Sequence, residues 1–235
     1  MIQIDKTEVF GWESAIRGMR NPMNSWDKSD SCFCRHAPDC EGNCSMYIGE
    51  NDLKLMKSLS KAGPDHGKFL RMINVTCDIN APLYWWKEFD TYKIGSVANS
   101  CSTMHKIHAK EFTSKDFSFE HLLYDEYPRM DTIEHVGSNN VISPSYFGDL
   151  IIEMLNYYRD KFIKTKDKKY WWQMIQLLPS SYNQKRTVQL NYQVLKNMYN
   201  ARKSHKLDEW KTFCDWCETL PYFKEICLGG DSDGE

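Results

Sequence analysis

Three groups of residues have the types and spacing to do chemistry. The first is the run of small hydroxyl, thiol and amide side chains from Gly95 to Thr103, where Cys101 stands between Ser100 and Ser102. After a strand and a helix, such a loop presents backbone N–H groups to a ligand in many α/β proteins; it also occurs as plain surface. A thiol there is either a low-pKa nucleophile or a small packed hydrophobe. The second group lies in Val188–Arg202. Asn191, Leu195, Met198 and Arg202 recur at spacings of four, three and four, so as a helix they share one face. An arginine on an apolar face needs a partner, which an inter-helix salt bridge would supply. The third group is Cys32, Cys34, His36, Cys40 and Cys44, spaced C-x-C-x-H-x3-C-x3-C, with Asp39, Gly42 and Asn43 for turns. Thiolates and an imidazole this close can close a tetrahedral zinc site; free thiols in a loop are the alternative. Cys214 and Cys217, one turn apart with Cys227 beyond, read as packing that could join a metal site.

The elements that position these groups are legible from periodicity. Ile73, Val75, Cys77 and Ile79 alternate with polar residues, which predicts a half-buried strand ended by Ala81-Pro82. Leu83–Lys93 predicts a helix leading out of it. Residues 2–4 fit a short strand, and Val9–Met19 a helix with Trp12, Ala15, Ile16 and Met19 inward, stopped at Asn21-Pro22. The chain is polar and irregular over 24–51. Asp52–Ala62 then reads as a helix closed by Gly63-Pro64, with His66 in the turn before the central strand. Phe112–Asp131 offers an N-cap at Ser114 or Asp116, and Val136–Ser145 reads as loop. Phe147–Ile163 carries the clearest helical stripe, from Phe147 through Leu150, Ile151, Met154, Leu155 and Tyr158 to Phe162. The basic run Lys164–Lys169 reads as a solvated helix end. Tyr170–Leu178 and Asp208–Leu220 complete the helices, and residues 229–235 form an acidic tail.

A chain of 235 residues buries a sizeable core, and with no Pro/Gly/Ser linker we read one domain over 1–235, with 24–51 as a Cys/His-rich insert. The composition is 41% hydrophobic, 14% aromatic and 26% charged, with a net charge of −2. Nothing in that balance calls for nucleic acid or a membrane as partner. The N-terminus lacks a signal-peptide pattern and no apolar run is long enough to span a bilayer, so the expected location is cytoplasmic. The nine cysteines then read as thiols or metal ligands.

The central stretch resembles the flavin-dependent thymidylate synthases, the ThyX family. That family has a strand ending in an Ala-Pro-like pair, a helix, and a signature of Arg-His-Arg, seven residues and Ser. Here Ala81-Pro82 is followed at the matching distance by Thr91-Tyr92-Lys93, the seven residues Ile94–Ser100, and Cys101. Leu178-Pro179 followed by Asn191, Leu195, Asn197 and Arg202 is similar to the family's C-terminal pattern, in which a long helix carries asparagines and ends in a ligand-binding arginine. The implied fold is α+β: a central, mostly antiparallel sheet packed with long helices, here with the Cys-rich insert added.

The resemblance implies methylation of dUMP, or a related pyrimidine nucleotide, at C5. Methylenetetrahydrofolate would donate the carbon and FAD reduced by NADPH the hydride, in a homotetramer with shared sites. By position it implies substrate contacts at Glu88, Cys101, Ser102, Thr103 and Arg202, with Arg202 also the catalytic group. It implies cofactor contacts at Thr91, Tyr92, Lys93 and Ser96, and further ones at His66, Asn191 and Asn197. The letters depart from the family where charge matters. Thr91 has none, Lys93 lacks the guanidinium fork, Thr103 stands where the family has an arginine, and Glu88 replaces a neutral amide. A nucleotide- or flavin-binding protein without turnover, or with an altered substrate, is therefore the alternative, and a zinc-stabilised interaction module the more remote one.

Overall fold

The computed structural model describes residues 1–33, 46–127 and 142–229. In chain order its elements are β1 (Gln3–Phe10), α1 (Trp12–Arg20), α2 (Glu50–Lys61), β2 (Asn74–Pro82), α3 (Leu83–Phe89), β3 (Val97–Ser100) and α4 (Thr103–Lys106). They continue with α5 (Pro144–Thr165), α6 (Lys168–Leu177), β4 (Asn183–Asn191), α7 (Tyr192–Arg202) and α8 (Asp208–Glu218), and a π-helical turn covers Lys224–Leu228. The strands form one sheet in the order β1-β2-β4-β3, so the architecture is α+β with a mostly antiparallel sheet, as expected. Among the described residues no helix is long and apolar enough to cross a membrane.

Several boundaries move for physical reasons. The first strand runs to Phe10, not residue 4, and its helix starts at Trp12, because Gly11 turns the chain at φ 94°. A Cβ at Gly11 would lie 2.1 Å from the Met72 carbonyl oxygen, so only glycine fits that approach. The helix after Pro82 ends at Phe89 rather than Lys93, and the Gly95–Thr103 loop contains the exposed edge strand β3. Within the described part of Phe112–Asp131, through residue 127, the chain forms a 3-10 turn at Ser114–Asp116, closed by reciprocal bonds between Thr113 and Asp116. The expected loop Val136–Ser145 and the tail lie largely outside the described residues.

The described chain divides into two compact units. One comprises residues 1–3, 79–91 and 99–186. Its core is Ile107, Phe112, Phe117, Leu155 and Met174, with Phe119, Ile151 and Phe162 packed against it. The Asn156 amide bonds both the N–H and the carbonyl of Phe112, which ties α5 to the chain before the 3-10 turn. Trp85, Trp86 and Phe89 of α3 form a second, fully buried aromatic group.

The other unit comprises residues 4–78, 92–98 and 187–235. Trp12, Tyr192, Tyr222 and Phe223 meet edge to face at its centre, and the Tyr192 hydroxyl donates to the Pro221 carbonyl at 2.7 Å. Asp52, fully buried in the first turn of α2, organises the other side. It accepts from Arg20 Nε at 2.6 Å, from the Ser29 and Ser31 hydroxyls at 2.7 and 2.6 Å, and from the Asp30 and Ser31 N–H groups. Asp30 in turn caps α2 by accepting from the N–H groups of Asn51 and Asp52. Burial pulls the Asp52 pKa upward, but the hydrogen bonds from Ser31, Ser29 and Arg20 and the arginine's charge outweigh it and leave it below the ordinary 3.8.

Asp52→Ala leaves Arg20 buried with its counter-charge removed, and is expected to lower unfolding free energy by about 3–5 kcal/mol. Because the folded pKa lies below 3.8, the wild-type contribution is complete above that pH and lost as pH falls through the folded value. Urea unfolding of both proteins at pH 7 and at steps below pH 4 checks this; equal midpoints at pH 7 would refute the assignment.

Candidate functional site

Val188–Arg202 is not one helix. The chain runs as strand β4 through Asn191 and turns there into α7. Asn191 is the N-cap: its Oδ1 accepts from the Val194 N–H at 3.0 Å. The loop around Gly95 lies close over this first turn. A Cβ at Gly95, where φ is +77°, would meet Asn191 Nδ2 and Val194 Cγ2 at 3.0 Å. Leu195 and Met198 are buried one and two turns on, and Arg202 ends the helix half-buried. Arg202 Nε donates to the Tyr92 hydroxyl at 2.9 Å, and its guanidinium lies 4.8 Å over the Trp210 ring. Two sequence candidates, Tyr92 and Arg202, are thus in direct contact. Ser96 donates its hydroxyl proton to the Tyr92 carbonyl, and Lys93 is exposed.

On the neighbouring side of α7, Asn197 lines a cleft of about 250 Å³ with Ser60, Gly63, Pro64, Arg71, Gln193 and Lys196. Gln193 Nε2 donates to Asn197 Oδ1 at 3.0 Å, which leaves the Asn197 NH₂ available to a ligand. Lys196 Nζ donates to the carbonyl and hydroxyl of Ser60 at 3.1 and 2.8 Å. Sequence reading missed Arg71, Gln193 and Lys196. The spacing of Gln193, Lys196 and Asn197 on one helical face was the signal available. His66 is exposed in the turn that supplies Gly63 and Pro64, and it does not line this cleft.

The remaining candidates belong to the other compact unit. Glu88 is half-buried on α3, and the Thr91 hydroxyl donates back to the Glu88 carbonyl at 2.7 Å, closing the helix. Cys101 is an exposed free thiol at the end of β3. Its N–H donates to the Lys185 carbonyl at 2.9 Å and its carbonyl accepts from Gln184 Nε2 at 2.8 Å, so its backbone is fixed. The Ser102 hydroxyl caps the four-residue α4 by accepting from His105 N–H, and Thr103 begins that turn. Behind them Arg186, unmarked in the sequence, donates from Nε to Gln184 Oε1 at 3.0 Å and from Nη1 to Asp90 at 2.7 Å, with its guanidinium 4.1 Å over Trp86. An arginine–glutamine link therefore orients the chain at Cys101.

Of the expected metal ligands, Cys34, His36, Cys40 and Cys44 lie outside the described residues. Cys32 is exposed, and its backbone pairs with Tyr47 by bonds of 2.9 and 3.1 Å. Among the described residues no group of three or more His, Cys, Asp or Glu is placed to hold a metal. Cys214, Cys217 and Cys227 are buried thiols; burial pushes Cys214 up to about 11 and Cys227 up to about 12.

No protein-family model and no curated protein matches the sequence. Solved structures do match the fold along the whole chain. Thymidylate Synthase X (ThyX) from Helicobacter pylori with FAD and dUMP is 14% identical, at a TM-score of 0.64 over 97% of this chain and 98% of that one. A second flavin-dependent thymidylate synthase ThyX structure from the same organism, complexed with FAD and dUMP, is 16% identical at the same TM-score and coverage. A UMP/dUMP methylase, PolB from Streptomyces cacaoi bound with 5-Br dUMP, is 13% identical at 0.61, over 97% and 94% of the two chains. The fold is therefore ThyX-like.

The capping role of Asn191 is separable from any ligand role. Asn191→Ala should lower stability by about 1 kcal/mol, whereas Asn191→Asp keeps the accepting oxygen and should stay within a few tenths. Thermal unfolding of the three proteins decides; a destabilised Asp variant would show that Nδ2, not the cap, carries the effect.

Proposed function

We propose that this protein is a flavin-dependent enzyme that methylates a pyrimidine nucleotide, dUMP or a near relative, at C5. Methylenetetrahydrofolate is the carbon donor and NADPH the reductant. The observation that carries this reading is the α7 cleft, where the Asn197 amide stands beside Arg71 and Lys196, in a fold whose solved neighbours were crystallised with FAD and dUMP.

The donor set fits part of a dinucleotide. Two cations suit phosphate oxygens, and the Asn197 NH₂ suits a base or ribose acceptor. A cleft of about 250 Å³ has room for a fraction of FAD, the remainder lying outside it. Arg71, Lys196 and Asn197 would hold the cofactor, with the turn at Gly63 and Pro64 as a wall. When bound, the flavin supplies hydride transfer.

The chain's own contribution is binding, orientation and charge. Arg202 is the group assigned to the pyrimidine, where a guanidinium can pair with ring acceptors and stabilise negative charge developing there. The Tyr92 hydroxyl on Nε and the Trp210 face beneath fix its plane, so Tyr92 is a positioning residue. Cys101, Ser102 and Thr103 are assigned to the substrate side, and Cys101 need not act as nucleophile, since the family reaction requires no enzymic one. A second reading, binding without turnover, draws on the same contacts: Arg202 is already engaged by Tyr92, and Thr91 offers its only hydroxyl proton to Glu88.

The assembly reading is a homotetramer. On α5, Phe147 (50% exposed), Met154 (45%) and Tyr157 (57%) recur at helical spacing, an apolar stripe suited to a second copy.

The visible spectrum of the purified chain tests the function first. An oxidised-flavin spectrum, bleached by NADPH, with dUMP turned over in the presence of methylenetetrahydrofolate, is the expected result. Arg202→Ala should then retain flavin while turnover falls roughly 10²–10³-fold. Bound flavin with no turnover on any pyrimidine nucleotide would select the second reading. A colourless chain that takes up no added FAD would remove both.

A further inference from the structure

Lys196 is a half-buried ammonium whose described partners are the two neutral oxygens of Ser60. It lines the α7 cleft on one side and a separate, larger cleft on the other. The larger one, about 420 Å³, lies between the last turns of α2 and the C-terminal π-helical turn. Lys57, Lys61 and Lys196 line it together with Ser58 and Ser60; among the described residues Glu225 is the one carboxylate of this lining. Its apolar wall is Ile226, Cys227 and Leu228. Burial keeps the Cys227 thiol protonated, pushed up to about 12, so it adds no negative charge at neutral pH.

Three cations converging on one concave surface repel each other, and a half-buried ammonium without a carboxylate is costly. Among the described residues no carboxylate pairs with Lys57, Lys61 or Lys196. Helices usually avoid such spacing: Lys57 and Lys61 are an i, i+4 pair of like charge, which destabilises an isolated helix. A bound anion would turn each of these costs into a favourable contact. The lysines supply point charges of the kind that hold phosphate, and the hydroxyls donate to its remaining oxygens. The apolar wall sets the rest of the ligand's chemistry. We propose that this cleft is a second ligand site, which binds a phosphate monoester carrying an apolar body. The phosphate sits among Lys57, Lys61 and Lys196, and the body lies against Ile226 and Leu228. Lys57, Lys61 and the C-terminal turn take no part in the α7 cleft, so this site stands whether or not that cleft holds flavin. Lys196 belongs to both walls, so occupancy of either cleft changes the charge seen by the other.

Isothermal titration of the full chain with 1-naphthyl phosphate, beside inorganic phosphate, tests the site. One naphthyl phosphate per chain should bind, at least tenfold more tightly than inorganic phosphate. The double variant Lys57→Ala/Lys61→Ala, two side chains without hydrogen bonds among the described residues, should melt no lower than the wild type, since it removes a like-charge i, i+4 pair, and bind at least tenfold more weakly. The pair Arg71→Ala/Asn197→Ala should bind within about twofold of wild type and, if the flavin reading is right, lose flavin. Absence of binding at millimolar ligand would overturn the proposal. So would unchanged affinity in the lysine variant, or loss in the Arg71/Asn197 variant, which would move the ligand to the α7 cleft.

Discussion

The buried carboxylate of Asp52 is the constraint from which its compact unit is built. A charge with no exposed surface persists only when its lone pairs are filled. Here a guanidinium, two hydroxyls and two backbone N–H groups fill them. Those donors come from α1 and from residues 29–31, so one side chain fixes α2 against both. The same network pins the two ends of the chain around the cysteine-rich segment. Ser31 Oγ accepts from the Gly49 N–H, and Cys32 pairs with Tyr47.

The consequences run along α2 to the other end of the helix. With its first turn fixed, Ser60 near its last turn has a defined place, and Ser60 is what holds Lys196 of α7. The clefts on either side of that lysine are therefore set by packing rather than by ligand. Preorganisation of this kind favours binding, because the ordering cost is met during folding. It also explains why a lysine without a described carboxylate partner persists: its two hydrogen bonds compensate part of the desolvation, leaving a positive potential in both clefts.

Much of this was legible in the sequence, in proportion to how local the determining physics is. The alternation of β2 declares itself through side-chain period, and on α5 the period found the helix and its inward Ile151, Leu155, Tyr158 and Phe162, although Phe147 and Met154 of the same stripe are exposed. β4 did not declare itself. Over Asn183–Asn191 only Val188 and Leu190 are apolar and buried on the alternating face, with Gln184 as a buried polar member. Its strand character comes from pairing on both sides, between β2 and β3, a tertiary cause that propensity does not carry. The four-three-four spacing ending at Arg202 then drew the helix back over the strand's last residues. Asn191 was a usable boundary signal, since asparagine ahead of an apolar helical run is a preferred N-cap. At the site, Asn197, Tyr92 and Arg202 came from motif spacing, and the structure joins Tyr92 to Arg202. Arg71, Lys196 and Arg186 carry no motif. Their placement depends on elements far apart in sequence, and only the folded chain brings Lys196 to Ser60 or Arg186 to Asp90.

The positions at which the sequence departs from the ThyX signature contribute little to the fold, and that explains how one can diverge without the other. Thr91 and Lys93 are exposed, and Cys101 joins the sheet through its backbone, which is indifferent to a serine-to-cysteine exchange. The framework rests instead on Asp52, on the aromatic centre around Tyr192, and on the pairing of β2 with β4. Replacing an arginine fork at an exposed loop costs the framework nothing, while it removes bidentate recognition of a phosphate or carboxylate. Cations are meanwhile concentrated on and around α2 and α7, at Lys57, Lys61, Arg71 and Lys196. A chain with fewer guanidinium forks in one segment, and with lysines that have no carboxylate partner among the described residues in another, would hold an anion differently on the same framework. Under the proposed reading, the chemistry of the anion is consequently where this chain and its structural neighbours are expected to differ most.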